Sequence, residues 1–170
     1  MEIKAEKISR LLPVFAFALL FIFNSCGYSV FRHSSLPFTE IAIGRIENKT
    51  LEPRLQDKLH SALTEEFLRQ GISVNPLAGH KLAGVIREFG MASLSEKKGI
   101  SIEYRVDVRA DFSLFSGEGK KIVIKNISSP FIVSFVGSED FGTLLANRDV
   151  AEEKALKEVA IQIVSELIYK

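Results

Sequence analysis

The chain has no tryptophan, a single cysteine, three histidines and five prolines in 170 residues. One cysteine excludes an internal disulfide framework and every zinc site built on paired thiolates. His33, His60 and His80 fall in a predicted tether, a helix and a loop. Nothing in their spacing resembles a ligand set, so a solvated or structural role is the expectation. Charge of either sign is not in excess: 22 Lys and Arg stand against 21 Asp and Glu, a formal net charge of +1. That balance argues against nucleic acid or an anionic membrane surface as the main partner. Long apolar runs are also missing. The longest, Leu11–Phe23, is about two-thirds of the span an α-helix needs to cross a bilayer.

What is present begins with that short run. Lys4, Lys7 and Arg10 precede it, and Phe23-Asn24-Ser25-Cys26-Gly27 ends it. Basic flank, short apolar core and a small residue at the exit describe a secretory signal peptide. With cysteine directly after Ser25, the segment resembles the lipobox of bacterial lipoproteins, in which the cysteine is lipidated and becomes the first mature residue. The expectation is a signal peptide over 1–25, a lipid anchor on Cys26 and a tether over 26–38. An ordinary signal peptide or a buried structural cysteine would not require this placement. One acyl chain holds a protein only reversibly, whereas several chains on one cysteine make a stable anchor.

Residues 39–170 read as one α+β domain. Thr39–Ile46 has the alternation of a strand. From Arg54 to Gln70, Leu55, Leu59, Ala62, Leu63 and Phe67 gather on one side of a helix, with Glu66 among them and Gly71 as the stop. Ile72–Val74 could extend into a short strand, and Leu82–Phe89 reads as the next strand of the order, in which Gly84 marks a bulge or a close backbone approach. Ile100–Phe115 is the clearest element. Tyr104, Val106, Val108, Ala110, Phe112 and Leu114 alternate with Glu103, Arg105, Asp107, Arg109 and Asp111. Such a strand has one buried and one wet face. Ser116–Gly119 turns the chain into Lys121–Phe135, broken near Pro130. Around that break Phe131, Val133 and Phe135 alternate with Ile132 and Val136, and core burial is expected, with docking against a partner as the alternative. The last helix covers Asn147–Ile168, with Asp149, Glu152 and Glu153 near its start, where they suit the helix dipole. The predicted order is β-α-β-β-β-α, two helices packed on one face of a mostly antiparallel sheet, the other face polar.

Several of these segments resemble the LPS-assembly lipoprotein LptE family. Ile41-Ala42-Ile43, then Ile46-Glu47-Asn48-Lys49-Thr50 and Glu52-Pro53, are similar to its opening strand, Asn-x-Thr loop and first helix. Leu82-Ala83-Gly84-Val85-Ile86 and Glu103-Tyr104-Arg105-Val106 are similar to its central strands, and Ala151–Leu167 to its closing helix. The resemblance runs from Cys26 to the end. It implies an outer-membrane lipoprotein of a Gram-negative cell that plugs a large β-barrel, LptD, and helps deliver lipopolysaccharide to the surface. Gly27, rather than Asp, after the cysteine is compatible with outer-membrane sorting.

Two sets of residues are candidates for contact. Glu103, Arg105, Asp107, Arg109 and Asp111 alternate in sign along one strand face, which would fit the polar lumen of a barrel. The plain alternative is the solvent side of a half-covered sheet, carrying weak ion pairs. Lys97 and Lys98, and Lys120, Lys121 and Lys125, lie in or beside predicted loops and could meet the phosphates of lipopolysaccharide, or simply keep loops soluble. No catalytic constellation stands out: Glu65-Glu66 and Glu152-Glu153 are adjacent pairs that do not converge on a helix. Gly117 and Gly119 form a turn, not a phosphate loop. No cofactor is expected. A different periplasm-facing lipoprotein, a cell-wall synthase activator or a secretion-channel component, is the other reading.

Overall fold

The structure is a computed structural model that describes residues 36, 38–97, 100–117, 119–129 and 132–169, without side-chain detail at 100–102 and 169. Eight elements follow in order: β1 (Glu40–Asn48), α1 (Leu55–Arg69), β2 (Ser73–Val74), β3 (Lys81–Lys97), β4 (Ile100–Phe115), β5 (Lys121–Ser128), β6 (Val133–Val136) and α2 (Phe141–Tyr169). The six strands form one sheet in the order β2-β1-β3-β4-β5, with β6 also on β4. β1 is parallel to both β2 and β3, and every pairing of β4 is antiparallel. This is the expected α+β architecture, a mostly antiparallel sheet with two helices.

α1 forms where the sequence places it. Leu55, Leu59, Ala62, Leu63 and Phe67 are buried, as helical spacing requires. Its end is a Schellman motif. Gly71 adopts φ +78° and its N–H donates to Leu68 O at 3.0 Å, while the Ile72 N–H donates to Phe67 O at 2.9 Å. Glu66 is buried on the same stripe, its carboxylate accepting from Gln70 Nε2 at 2.9 Å and pairing with Arg69.

The alternation in β4 decides which sheet face is covered. Val106, Val108, Ala110, Phe112 and Leu114 are buried, and they join Ile41, Leu82, Ile86, Ile124, Val133, Leu156, Ile163 and both helix stripes in one core. Both helices therefore serve the same face. Each fully buried Leu, Ile or Phe in this layer contributes about 1.5–3 kcal/mol.

Three expectations need correction. β3 continues to Lys97, eight residues beyond Phe89. Gly90-Met91-Ala92-Ser93 carries no strong strand preference, and pairing with β4 holds it extended. α2 begins at Phe141, six residues before Asn147. Asp140 caps it by accepting the Thr143 N–H at 2.7 Å. That hydrogen bond, with a second from the Thr143 hydroxyl, holds the Asp140 carboxyl below the usual carboxylate range. Asp149, Glu152 and Glu153 consequently lie past the first turn, and the dipole argument for them fails. Finally, the segment after β5 is only half in the core. Val133 and Phe135 are buried, Ile132 and Val136 are exposed, and Phe131 and Pro130 lie outside the described residues.

Gly84 is a close approach. It sits opposite Phe112, and a Cβ there would lie 2.6 Å from a carbon of that ring. The register shift between β1 and β3 lies in β1, between Ile43 and Ile46.

Candidate functional site

The helix-free face of the sheet carries the alternating charges, and they are paired within the sheet. Arg87 Nε on β3 meets Asp111 at 2.5 Å, Arg105 Nε meets Asp107 at 3.0 Å, and Arg109 reaches Glu88 at 3.3 Å. Glu103 accepts from Ser134 Oγ at 2.8 Å. All five predicted residues of this face are thus brought onto one surface, three of them paired across strands to β3 and β6. Exposed pairs of this kind contribute little stability each, about 0–1 kcal/mol. Their effect is to leave a face that is charged yet nearly neutral.

Asp111 has a further task that alternation does not reveal. Between Phe112↔Ile124 and Ala110↔Ile127, β5 holds one residue more than β4. Asn126 in that bulge has φ +55°, and its N–H donates to Asp111 Oδ1 at 2.9 Å. This bond is the main cause that holds the Asp111 carboxyl below its ordinary pKa; burial opposes it, and Arg87 adds a weaker lowering effect.

The lysines do not form one site. Lys97 is at the end of β3 opposite Ile100, whereas Lys121 is opposite Phe115 at the far end of β4. β4 has 16 residues, so the two places are separated by about 50 Å. Lys121 stands over the Phe115 ring at 5.3 Å, and Lys125 is exposed near Asp111. Lys98 and Cys26 lie outside the described residues.

The Asn-x-Thr loop is a hydrogen-bonded unit. Asn48 Oδ1 accepts from the Thr50 N–H at 3.0 Å and its hydroxyl at 2.8 Å, while Asn48 Nδ2 donates to Glu52 O at 2.6 Å. The Glu52 N–H donates to Thr50 Oγ1 at 3.2 Å, and the Glu52 carboxylate pairs with Arg148 on α2. Beside it, Lys58 pairs with Asp149 and, at 2.8 Å, with the buried Glu152. Burial pulls the Lys58 pKa down, but the two carboxylates outweigh it and raise the net value. This polar seam joins the β1–α1 loop to α2. The two acids were expected near a helix start, and no sequence signal links them to Lys58.

Among the described residues no group of three or more His, Cys, Asp and Glu could hold a metal ion, and no helix is long and apolar enough to cross a membrane. His60 is exposed on α1, and His80 stacks on Phe38 with ring centroids 4.4 Å apart.

The family model for LptE, described as lipopolysaccharide-assembly, matches residues 38–169. The chain belongs to the LptE family. It is a non-enzymatic lipoprotein family. No curated protein matches the sequence. Among solved structures, a lipoprotein from Caulobacter crescentus is 18% identical with a TM-score of 0.49, over 73% of this chain and 88% of that one. Rare lipoprotein B from Shewanella oneidensis is 13% identical with a TM-score of 0.45, over 76% and 91%. The PelC dodecamer from Paraburkholderia phytofirmans is 15% identical with a TM-score of 0.48, over 77% and 88%. The match to the LptE model covers the Asn48–Glu52 loop, the charged strand face and both helices.

Proposed function

We propose that this LptE-family protein is held at the outer membrane by lipid on Cys26 and acts through residues 39–170. There it binds and plugs an LptD-like β-barrel and assists assembly of lipopolysaccharide at the cell surface. It does so by binding, without catalysis. The observation that carries this reading is the helix-free sheet face, with its charges paired in the plane of the sheet. A barrel lumen is polar, and a plug must meet it without burying unpaired charge. Glu103, Arg105, Asp107, Arg109 and Asp111 are the barrel-facing residues in this account. One of the two lysine clusters, Lys97 with Lys98 or Lys120 with Lys121 and Lys125, would touch lipopolysaccharide phosphates; Lys97 and Lys121 stand at opposite ends of β4.

The test is to tag the C-terminus after Lys170, solubilise outer membranes in mild detergent and identify what remains bound. A stoichiometric LptD-like barrel is the expected result. A cell-wall synthase or a secretion channel in its place would overturn the plug and favour the other class of lipoprotein. Charge reversal at all five lysines should weaken binding of purified lipopolysaccharide. Unchanged binding would remove the lysines from the account.

A further inference from the structure

β1 stops pairing with β3 before β3 ends. The Lys49 N–H donates to Ile86 O at 3.0 Å, and no described strand continues along that edge of β3. The Asn48–Glu52 loop turns away at this point and leaves an open groove of about 740 Å³ beside Arg87–Met91. The groove is the vacant place of a strand. Between the register shifts at Ile86/Glu88 and Ser93/Ser95, the run Glu88–Ala92 is regular, about 17 Å long. Past Glu88 it carries neither charge nor proline, the usual means of blunting an open edge.

The lining states what could enter. Phe89 and Met91 lie opposite Val108 and Val106, so they belong to the helix side, and Met91 is exposed there. Leu51, fully exposed in its hydrogen-bonded loop, also lines the groove. On the other side Gly90 and Ala92 lie opposite Asp107 and Arg105. A Cβ at Gly90 would meet nothing within 4 Å. Long polar side chains of an added strand could therefore cross these small residues to the charges of β4.

We infer that an extended segment of the barrel partner adds to the sheet here as a strand alongside Glu88–Ala92. Its apolar residues would face Leu51, Phe89 and Met91, and its alternate, long polar residues would face Asp107 and Arg105. The segment comes from a loop or terminal arm, because the strands of a closed barrel have no free edge. This rests on the barrel reading above and adds the surface and mode of contact. Backbone pairing would supply affinity, and the alternating side chains specificity.

The experiment uses the full-length tagged protein in outer membranes. A photoreactive phenylalanine analogue replaces Met91 in one variant and Leu77, exposed in the β2–β3 connection, in another. M91K and L51E are purified in parallel, with thermal melts to confirm folding. Expected are a cross-link from position 91, not 77, to the barrel, and a loss of at least tenfold in barrel recovered with both substitutions. In the complex, amide exchange in Glu88–Ala92 should slow at least tenfold. Undiminished recovery with both variants and no cross-link at 91 would overturn strand addition while leaving the plug intact. A cross-link from 91 to a second copy or to this chain's own N-terminal segment would overturn the occupant. If the unsubstituted protein recovers no barrel, the plug reading fails and this inference with it.

Discussion

Gly84→Ala tests how tightly the sheet core is fitted. The new methyl would sit 2.6 Å from Phe112 Cε1 and 2.9 Å from Cδ1, where ordinary carbon contacts are about 3.5–4.0 Å. The ring must retreat by about 1 Å, yet it is only 1% exposed and packed on the helix side. Overpacking of this kind costs about 1–3 kcal/mol. Restricting the unfolded chain returns about 0.4–1 kcal/mol, so a net loss of about 1–2 kcal/mol is expected. Phe112→Leu alone removes ring volume and should cost about 1–2 kcal/mol. Together they should cost less than their sum by about 1 kcal/mol, because the leucine leaves room for the methyl. Urea unfolding of the four proteins, followed by far-ultraviolet circular dichroism, measures this cycle. Additivity within about 0.5 kcal/mol would refute the claim that the Phe112 ring is what requires glycine at 84.

Lys58→Met should lower stability by about 2–3 kcal/mol, since it strands the buried Glu152, and Glu152→Met in the same chain should restore most of it. The Lys58 pKa is raised on folding, so its contribution is complete at neutral pH and disappears as pH rises above about 10.5; urea midpoints across that range check it. Asp111→Asn should loosen the β5 bulge and speed amide exchange at Asn126. Because folding lowers the Asp111 pKa, the carboxylate stabilises above about pH 4 and that contribution fades as pH falls further. The variant should therefore lose less stability than the parent on acidification. Asn48→Ala removes the hydrogen bonds that organise Thr50 and Glu52, and should cost about 1–2 kcal/mol and raise proteolysis at Lys49.

The parts of the fold visible in the sequence are those where burial is one-sided. β4 announced itself because Val106–Leu114 faces helices and Glu103–Asp111 does not. The stripe of α1 was equally plain, including the anomaly at Glu66. Periodicity failed where neither face is well covered. The outer half of β3 has exposed Met91 and Leu94, and the first turns of α2 expose Phe141 and Leu145. Only Phe89 and Leu144 reach the edge of the core in those stretches, too thin a cover to impose a readable pattern. The charges facing outward on β4 could be listed from alternation, but their partners Arg87 and Glu88 depend on a bulge in β3 that no local signal encodes. The separation of the two lysine groups, by contrast, follows from the length of the Ile100–Phe115 strand, which alternation did reveal.

The course of the chain also sets an order of assembly. β3 and β4 meet first at Lys97 opposite Ile100, neighbours in the chain, and can zip outward from there. β1 instead finds its place through Ala42 opposite Lys81, about forty residues on, across the whole of α1. Short loops close at lower entropic cost than long ones. The hairpin should therefore be formed in the folding transition state, with φ-values near 0.5–0.8 at Phe112 and near zero at Ile41. Damage to β1 would then speed unfolding and spare the folding rate, so a chain with a weakened β1 would reach its hairpin normally and lose its parallel edge soonest.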